Sequence, residues 1–163
     1  YESKYRKLIH FFVQNRFLKN EYVIGIGAPG RMQGVTLISI PYKSYTSSEL
    51  DALKVKVWDE LGDEAKSRYE LFGSTCSQFD VDTPQLHLNM IGVRKECQSK
   101  GIGKLLLNHA HQLTFEDEEA TGISLSTEVP QNVSLYEYFG YEITGSADVG
   151  GAFTTWNFFR PNG

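Results

Sequence analysis

Two stretches of this sequence carry glycines at spacings that can do chemistry, and their contexts are opposite. Gln98, Ser99, Lys100, Gly101, Ile102, Gly103 and Lys104 follow the run LHLNMIGV and lead directly into IGKLLLNHAHQL, whose apolar residues have helical spacing. The first amide N–H groups of a helix have no intrahelical acceptor, and the macrodipole adds positive potential there. With no Cβ at Gly101 and Gly103, an anion can approach those amides. The stretch therefore predicts a diphosphate cradle, with Lys100 and Lys104 as added point charges. A glycine-rich turn bearing two solvated lysines is the competing account. Gly25, Gly27 and Gly30 also satisfy G-x-G-x-x-G. A dinucleotide site needs a helix after those glycines, whereas Pro29 and the β-rich run 35–40 follow, so a hairpin turn is expected instead.

The elements that must position this chemistry can be read from periodicity. Leu8, Ile9, Phe12, Val13 and Phe17 recur at helical spacing and predict a helix over 5–17. Runs 22–28 and 34–40 read as an antiparallel hairpin around APGRMQ. Residues 46–61 start with Thr46, Ser47, Ser48 and acidic Glu49, a helix opening, and a second helix is expected over 63–72. Together 42–83 form a helical excursion that is a candidate lid over an acceptor. Its Tyr69, Phe72 and Phe79 either line a pocket or fill a core. A strand over 86–93, a helix over 102–115, a strand over 122–127, a short helix over 132–139 and two closing strands over 141–147 and 153–159 complete the reading. This order gives a mixed α/β domain over 1–163, one parallel crossover among antiparallel strands, and no internal repeat.

Composition narrows the function classes. Among 163 residues, 16 Lys and Arg stand against 20 Asp and Glu, a net charge of −4, which is the wrong sign for gripping nucleic acid by field alone. No apolar run approaches the roughly 20 residues of a membrane span, and no secretory leader is read, so no membrane partner and a cytoplasmic setting are expected. Cys76 and Cys97 lack any C-x-x-C or Cys/His spacing. Two free thiols and no metal are expected, with His10, His87, His109 and His111 widely scattered.

VRKECQSKGIGKLLL, residues 93–107, resembles the acetyl-CoA loop of the GNAT superfamily of N-acetyltransferases, whose pattern is Q or R-x-x-G-x-G or A; Gln98, Gly101 and Gly103 match it. Downstream, SLYEYFGYE over 134–142 resembles that family's second signature, a Tyr on a short helix ending in G-F or G-Y. The two cover roughly 84–142 in the family's order. The resemblance implies a GNAT-like fold, a central, mostly antiparallel sheet with one splayed parallel pair, flanked by helices. It also implies that the family's first strand is missing ahead of Tyr1, as in a chain cut before that residue.

The implied reaction is direct attack of a primary amine, from a small molecule or peptide, on the thioester of acetyl-CoA in a ternary complex. By position, Ile91, Gly92 and Val93 would offer main-chain groups to the pantetheine arm, with an oxyanion donor near Ile91. Amides of Ser99, Gly101, Gly103 and Lys104 would hold the pyrophosphate. A bulge near 89–91 would splay the strands. Tyr136 matches the family's acid. For the base, His87 is placed first, on one strand face with Asn89, Ile91 and Val93, and Glu128 is the reserve. Where the family often has Asn seven residues before the Tyr, this chain has Val129; Asn132 either reaches the cofactor or caps its helix. A non-catalytic acyl-CoA sensor using the same loop is the alternative function. The last strand, ending FFRPNG, offers an edge for a homodimer.

Overall fold

The computed structural model describes residues 2–163. Helix α1 (Glu2–Leu18) leads into the hairpin β1 (Tyr22–Ala28) and β2 (Arg31–Ser39), then α2 (Ser48–Leu61) and α3 (Asp63–Cys76). Strand β3 (Leu86–Val93), helix α4 (Ile102–Glu116), strand β4 (Gly122–Thr127), helix α5 (Gln131–Tyr138) and the hairpin β5 (Glu142–Val149) and β6 (Phe153–Pro161) follow. The six strands form one sheet in the order β1-β2-β3-β4-β6-β5, in which only β3 and β4 run parallel.

Local chemistry sets the boundaries. Gly30, at φ +74°, turns the first hairpin, so Gly25, Gly27 and Gly30 belong to a β-hairpin and meet no helix start. The Ser47 hydroxyl accepts from the Leu50 amide at 3.1 Å and caps α2. Helix α4 covers one sheet face: Leu107 and Ala110 pack against Ile38, Leu86, Leu88, Ile123, Leu125 and Phe158, with Tyr136 of α5 joining them. Burying a side chain of this size stabilises by about 1.5–3 kcal/mol, so this cluster holds the sheet together.

The opposite face is polar and is roofed by α1 and α3. Helix α1 buries Phe11, Asn15 and Arg16, while Phe17 is 67% exposed. The apolar stripe predicted for this helix thus ends one turn early, and a charged residue takes over the inward face. Phe11 anchors a second apolar cluster with Val57 and Leu61 of α2, so α2 docks on α1, whereas α3 reaches the sheet, with Phe72 6.1 Å from Phe153 of β6 between ring centroids. Trp58 and Tyr69 stack at 5.1 Å between centroids and tie α2 to α3.

One expectation is overturned here. Strand β6 lies inside the sheet, paired with β4 on one side and β5 on the other. Its backbone groups are already used, so it offers no edge to a second copy; the free edges are β1 and β5. No described helix is long and apolar enough to cross a membrane.

Candidate active site

The parallel pairing of β3 with β4 runs only from Leu86–Ile123 to Leu88–Leu125. Both strands continue, but apart, so β3 from Asn89 to Val93 has no strand partner on its β4 side. A register shift explains the divergence: β2 pairs Ile38 with Leu88 and Leu37 with Met90, leaving Asn89 without an opposite residue. Such a bulge bends the strand and raises its twist. It also breaks the alternation of side chains. His87, Asn89 and Met90 all line the α1–α3 side, whereas Ile91 packs with the α4-side cluster and Val93 lies beside Gly103 of α4. The common face expected for His87, Asn89, Ile91 and Val93 therefore does not exist: the extra residue at the bulge turns the latter two over.

Just beyond β3, a 3-10 turn at Lys95–Cys97 leads to Ser99, at φ +60°, and to Gly101, the left-handed N-cap of α4 at φ +79°. Among the described residues, no backbone carbonyl takes the amides of Ser99 to Lys104; the first α4 bond runs from the Leu105 amide to the Gly101 carbonyl. Six consecutive amides are thus left without a backbone acceptor. A Cβ on Gly103 would meet only Val93 Cγ2, at 3.9 Å, and one on Gly101 would meet nothing. The positive φ accounts for glycine at 101, but internal packing does not account for it at 103. Gln98 Nε2 donates to the Val93 carbonyl at 3.4 Å and Lys100 Nζ to the Glu96 carbonyl at 2.8 Å, so both brace the loop, while Lys104 is exposed.

On the other face, the splay opens into a cavity of about 500 Å³ lined from α1, β3, β4 and α3. His87 lies in its floor, with Nδ1 2.8 Å from Ser124 Oγ. Burial, aided by the Arg16 charge, pulls its pKa down to about 4, so the ring is neutral near pH 7. Glu128, one residue past β4, accepts from Thr155 Oγ1 at 3.2 Å, and desolvation raises its pKa. Tyr136 is 6% exposed; burial raises its pKa and the Glu128 charge adds to the rise, which keeps the phenol protonated. Asn132 Nδ2 donates to Thr127 Oγ1 at 3.3 Å and fastens α5 to the end of β4; it is not the helix cap, a position held by Pro130.

Sequence reasoning missed Arg16. Its Nη1 donates to Asn89 Oδ1 at 2.7 Å and its Nε pairs with Glu21 Oε2 at 2.9 Å, inside the cavity wall. An arginine on an amphipathic helix normally faces solvent, and only the tertiary fold shows that this one does not. Of the excursion aromatics, Tyr69 and Phe72 line the cavity, whereas Phe79 lies over Gly145 of β5. Cys76 and Cys97 are free thiols, and the described residues hold no group of metal-ligating side chains.

Residues 64–143 match the family model for the acetyltransferase (GNAT) domain. No curated protein sequence matches the chain. Among solved structures, the chain is similar to a polyamine N-acetyltransferase from Drosophila melanogaster, with TM-score 0.64, 15% identity, and 90% of this chain and 79% of that one covered. It is also similar to a histone acetyltransferase HPA2 and related acetyltransferase from Corynebacterium glutamicum, with TM-score 0.63, 15% identity and 98% and 74% coverage. A third is the ribosomal-protein-S18-alanine N-acetyltransferase from Escherichia coli, with TM-score 0.56, 13% identity and 92% and 74% coverage. At these identities the likeness is one of fold.

Proposed function

Residues 64–143 place this chain in the GNAT acetyltransferase family, and we propose that it transfers an acetyl group from acetyl-CoA to a primary amine. The observation that carries this reading is the adjacency of two features on β3. Its backbone loses its β4 partner after Leu88, and the same strand runs into the six free amides of residues 99–104. An extended pantetheine arm can pair with the unpartnered backbone from Asn89 to Val93, as an added strand would. The pyrophosphate then meets the amides at the start of α4, with Lys104 free to add charge.

The cavity on the opposite face receives the acceptor amine. Nitrogen attacks the thioester carbonyl carbon, the C–S bond breaks, one proton leaves nitrogen, and one reaches sulfur. An amine with a pKa near 10 is mostly protonated at neutral pH, so a proton acceptor is required. The two candidates are shifted in opposite directions: burial weakens His87 as a base and strengthens Glu128. We assign proton acceptance to Glu128 and a polar, orienting role to the His87–Ser124 pair. Tyr136, held protonated, donates toward the leaving sulfur.

Calorimetry and thiol release test this. Acetyl-CoA should bind with micromolar affinity, and free thiol should appear only when an amine is added. Absence of binding by the folded protein would end the reading, and binding without thiol release across a broad amine panel would favour the sensor function.

A further inference from the structure

Strand β6 runs past the end of β4. The last β4–β6 pair joins Thr127 to Trp156, so the next residue outward on β6, Thr155, stands beside Glu128, while Ala147 of β5 holds its backbone from the other side. Thr155 is fully buried, and its Oγ1 donates to Glu128 Oε1 at 3.2 Å. A hydroxyl carries one hydrogen and an ionised carboxylate only accepts, so that hydrogen is committed to Glu128. Cys76 Sγ of α3 lies 3.6 Å from the same Oγ1, and its S–H is then the donor between those two. Side chains from α3, β6 and the end of β4 thus form a directed chain, thiol to hydroxyl to carboxylate, in which each bond polarises the next. The two heavy atoms on the Thr155 Cβ stiffen its χ1, which fixes where the hydroxyl points.

The Thr155 hydroxyl is the one side-chain partner of Glu128 among the described residues. The titratable groups around it are Cys76 of α3 and Tyr136 of α5, both held protonated by burial, and Asp80 beyond α3. The same cavity wall carries Glu70 of α3, neutral His87 of β3 and Arg16 of α1, which Glu21 neutralises. None brings a compensating positive charge to Glu128, whose pKa desolvation raises and the Thr155 bond restrains.

Resting on the assignment of proton acceptance to Glu128, we propose that Thr155 is a positioning residue that aims the Glu128 carboxylate into the acceptor cavity, with the Cys76 thiol bracing its hydroxyl. A hydrogen bond from the hydroxyl favours the ionised carboxylate over the protonated one, so the base stays ready at lower pH than burial alone would allow. Thr155 is itself out of reach of any reactant, and its effect passes through Glu128.

The test follows the glutamate side-chain carboxyls of the whole chain by carbon NMR against pH, the Glu128 signal being the one lost in Glu128→Gln. Thr155→Val keeps the shape and removes only the O–H, so it should move the Glu128 titration to higher pH. Thr155→Ser should restore it, and Cys76→Ala should give a smaller shift in the same direction. The acid limb of kcat/KM, measured with acetyl-CoA and an amine, should move with it, a loss of about tenfold on that limb in Thr155→Val. A Glu128 titration unmoved in Thr155→Val overturns the proposal, whether or not an amine is turned over. If Thr155→Val does not fold, Cys76→Ala decides in the same way. A shifted titration with an unmoved kinetic limb keeps the Thr155 contact and takes the role of base away from Glu128.

Discussion

Arg16 Nη1 donates to Asn89 Oδ1 across 2.7 Å, joining α1 to the one residue of β3 that the bulge leaves unopposed on β2. The same guanidinium pairs with Glu21, whose other oxygen accepts the Ile40 amide at 3.0 Å. Helix, bulge and hairpin are therefore locked by one charge network. Arg16→Met strands the Glu21 carboxylate, which is 5% exposed, and should cost about 3–5 kcal/mol in denaturant unfolding. Asn89→Ala should cost only about 1 kcal/mol, because Arg16 keeps its ion pair.

Gly103→Ala separates folding from binding. A Cβ there is free of internal clash, and alanine favours a helix over glycine by up to about 1 kcal/mol. The variant should melt at the same temperature or slightly higher, while calorimetry shows acetyl-CoA binding weakened by about tenfold or more. Unchanged affinity would remove the amide cradle from the reading.

Tyr136→Phe should reduce kcat by about 100-fold or more, the range for losing a positioned acid, with the Kd for acetyl-CoA unaltered. The ring contacts with Tyr141 and Phe158 persist in the variant, so near-native stability is expected. A fall in kcat matched by lost stability would point to packing instead.

The buried histidines set an acid limit on stability. His87 and half-buried His111 each have a folded pKa of about 4, below the unfolded value of 6.5, so the unfolded chain binds more protons between those values. Stability is fully present above pH 6.5 and is lost as pH falls toward 4. Together the two should contribute on the order of 1–3 kcal/mol after screening. Unfolding midpoints from pH 4 to 8 check this, and His87→Gln should flatten part of the slope.

Activity should follow a different curve. With His87 neutral throughout, kcat/KM should rise with pH as the acceptor amine deprotonates, with no inflection near 6.5. Glu128→Gln should lower kcat by about 100-fold, and a stronger loss in His87→Gln would reverse the assignment of the base.

Much of the frame was legible in the sequence because it rests on local rules. The glycines at 101 and 103 follow a strand and open a helix, a context that singles them out from Gly25, Gly27 and Gly30. Apolar spacing placed α4 within a residue of its observed bounds, and the start of α2 was marked by Ser47 and its acidic followers. What escaped was set by tertiary contact. The resemblance led to a bulge near 89–91, but not to its effect on the faces: the extra residue at Asn89 turned Ile91 and Val93 away from the acceptor side, which alternation along LHLNMIGV does not show. Arg16 reads as a solvated helix residue until β3 is folded beneath it. The last strand reads as an edge in chain order, yet the hairpin inserts it beside β4.

The two halves of the sheet are sewn together along only three residue pairs, from Leu86–Ile123 to Leu88–Leu125. Beyond them lies an open seam that a guest chain can stitch by taking the place of the absent rungs. Loading the donor is thereby also a mechanical event: amide exchange along β3 from Asn89 to Val93 should slow when acetyl-CoA is present, and the seam should close around the reacting carbon only once both halves are joined.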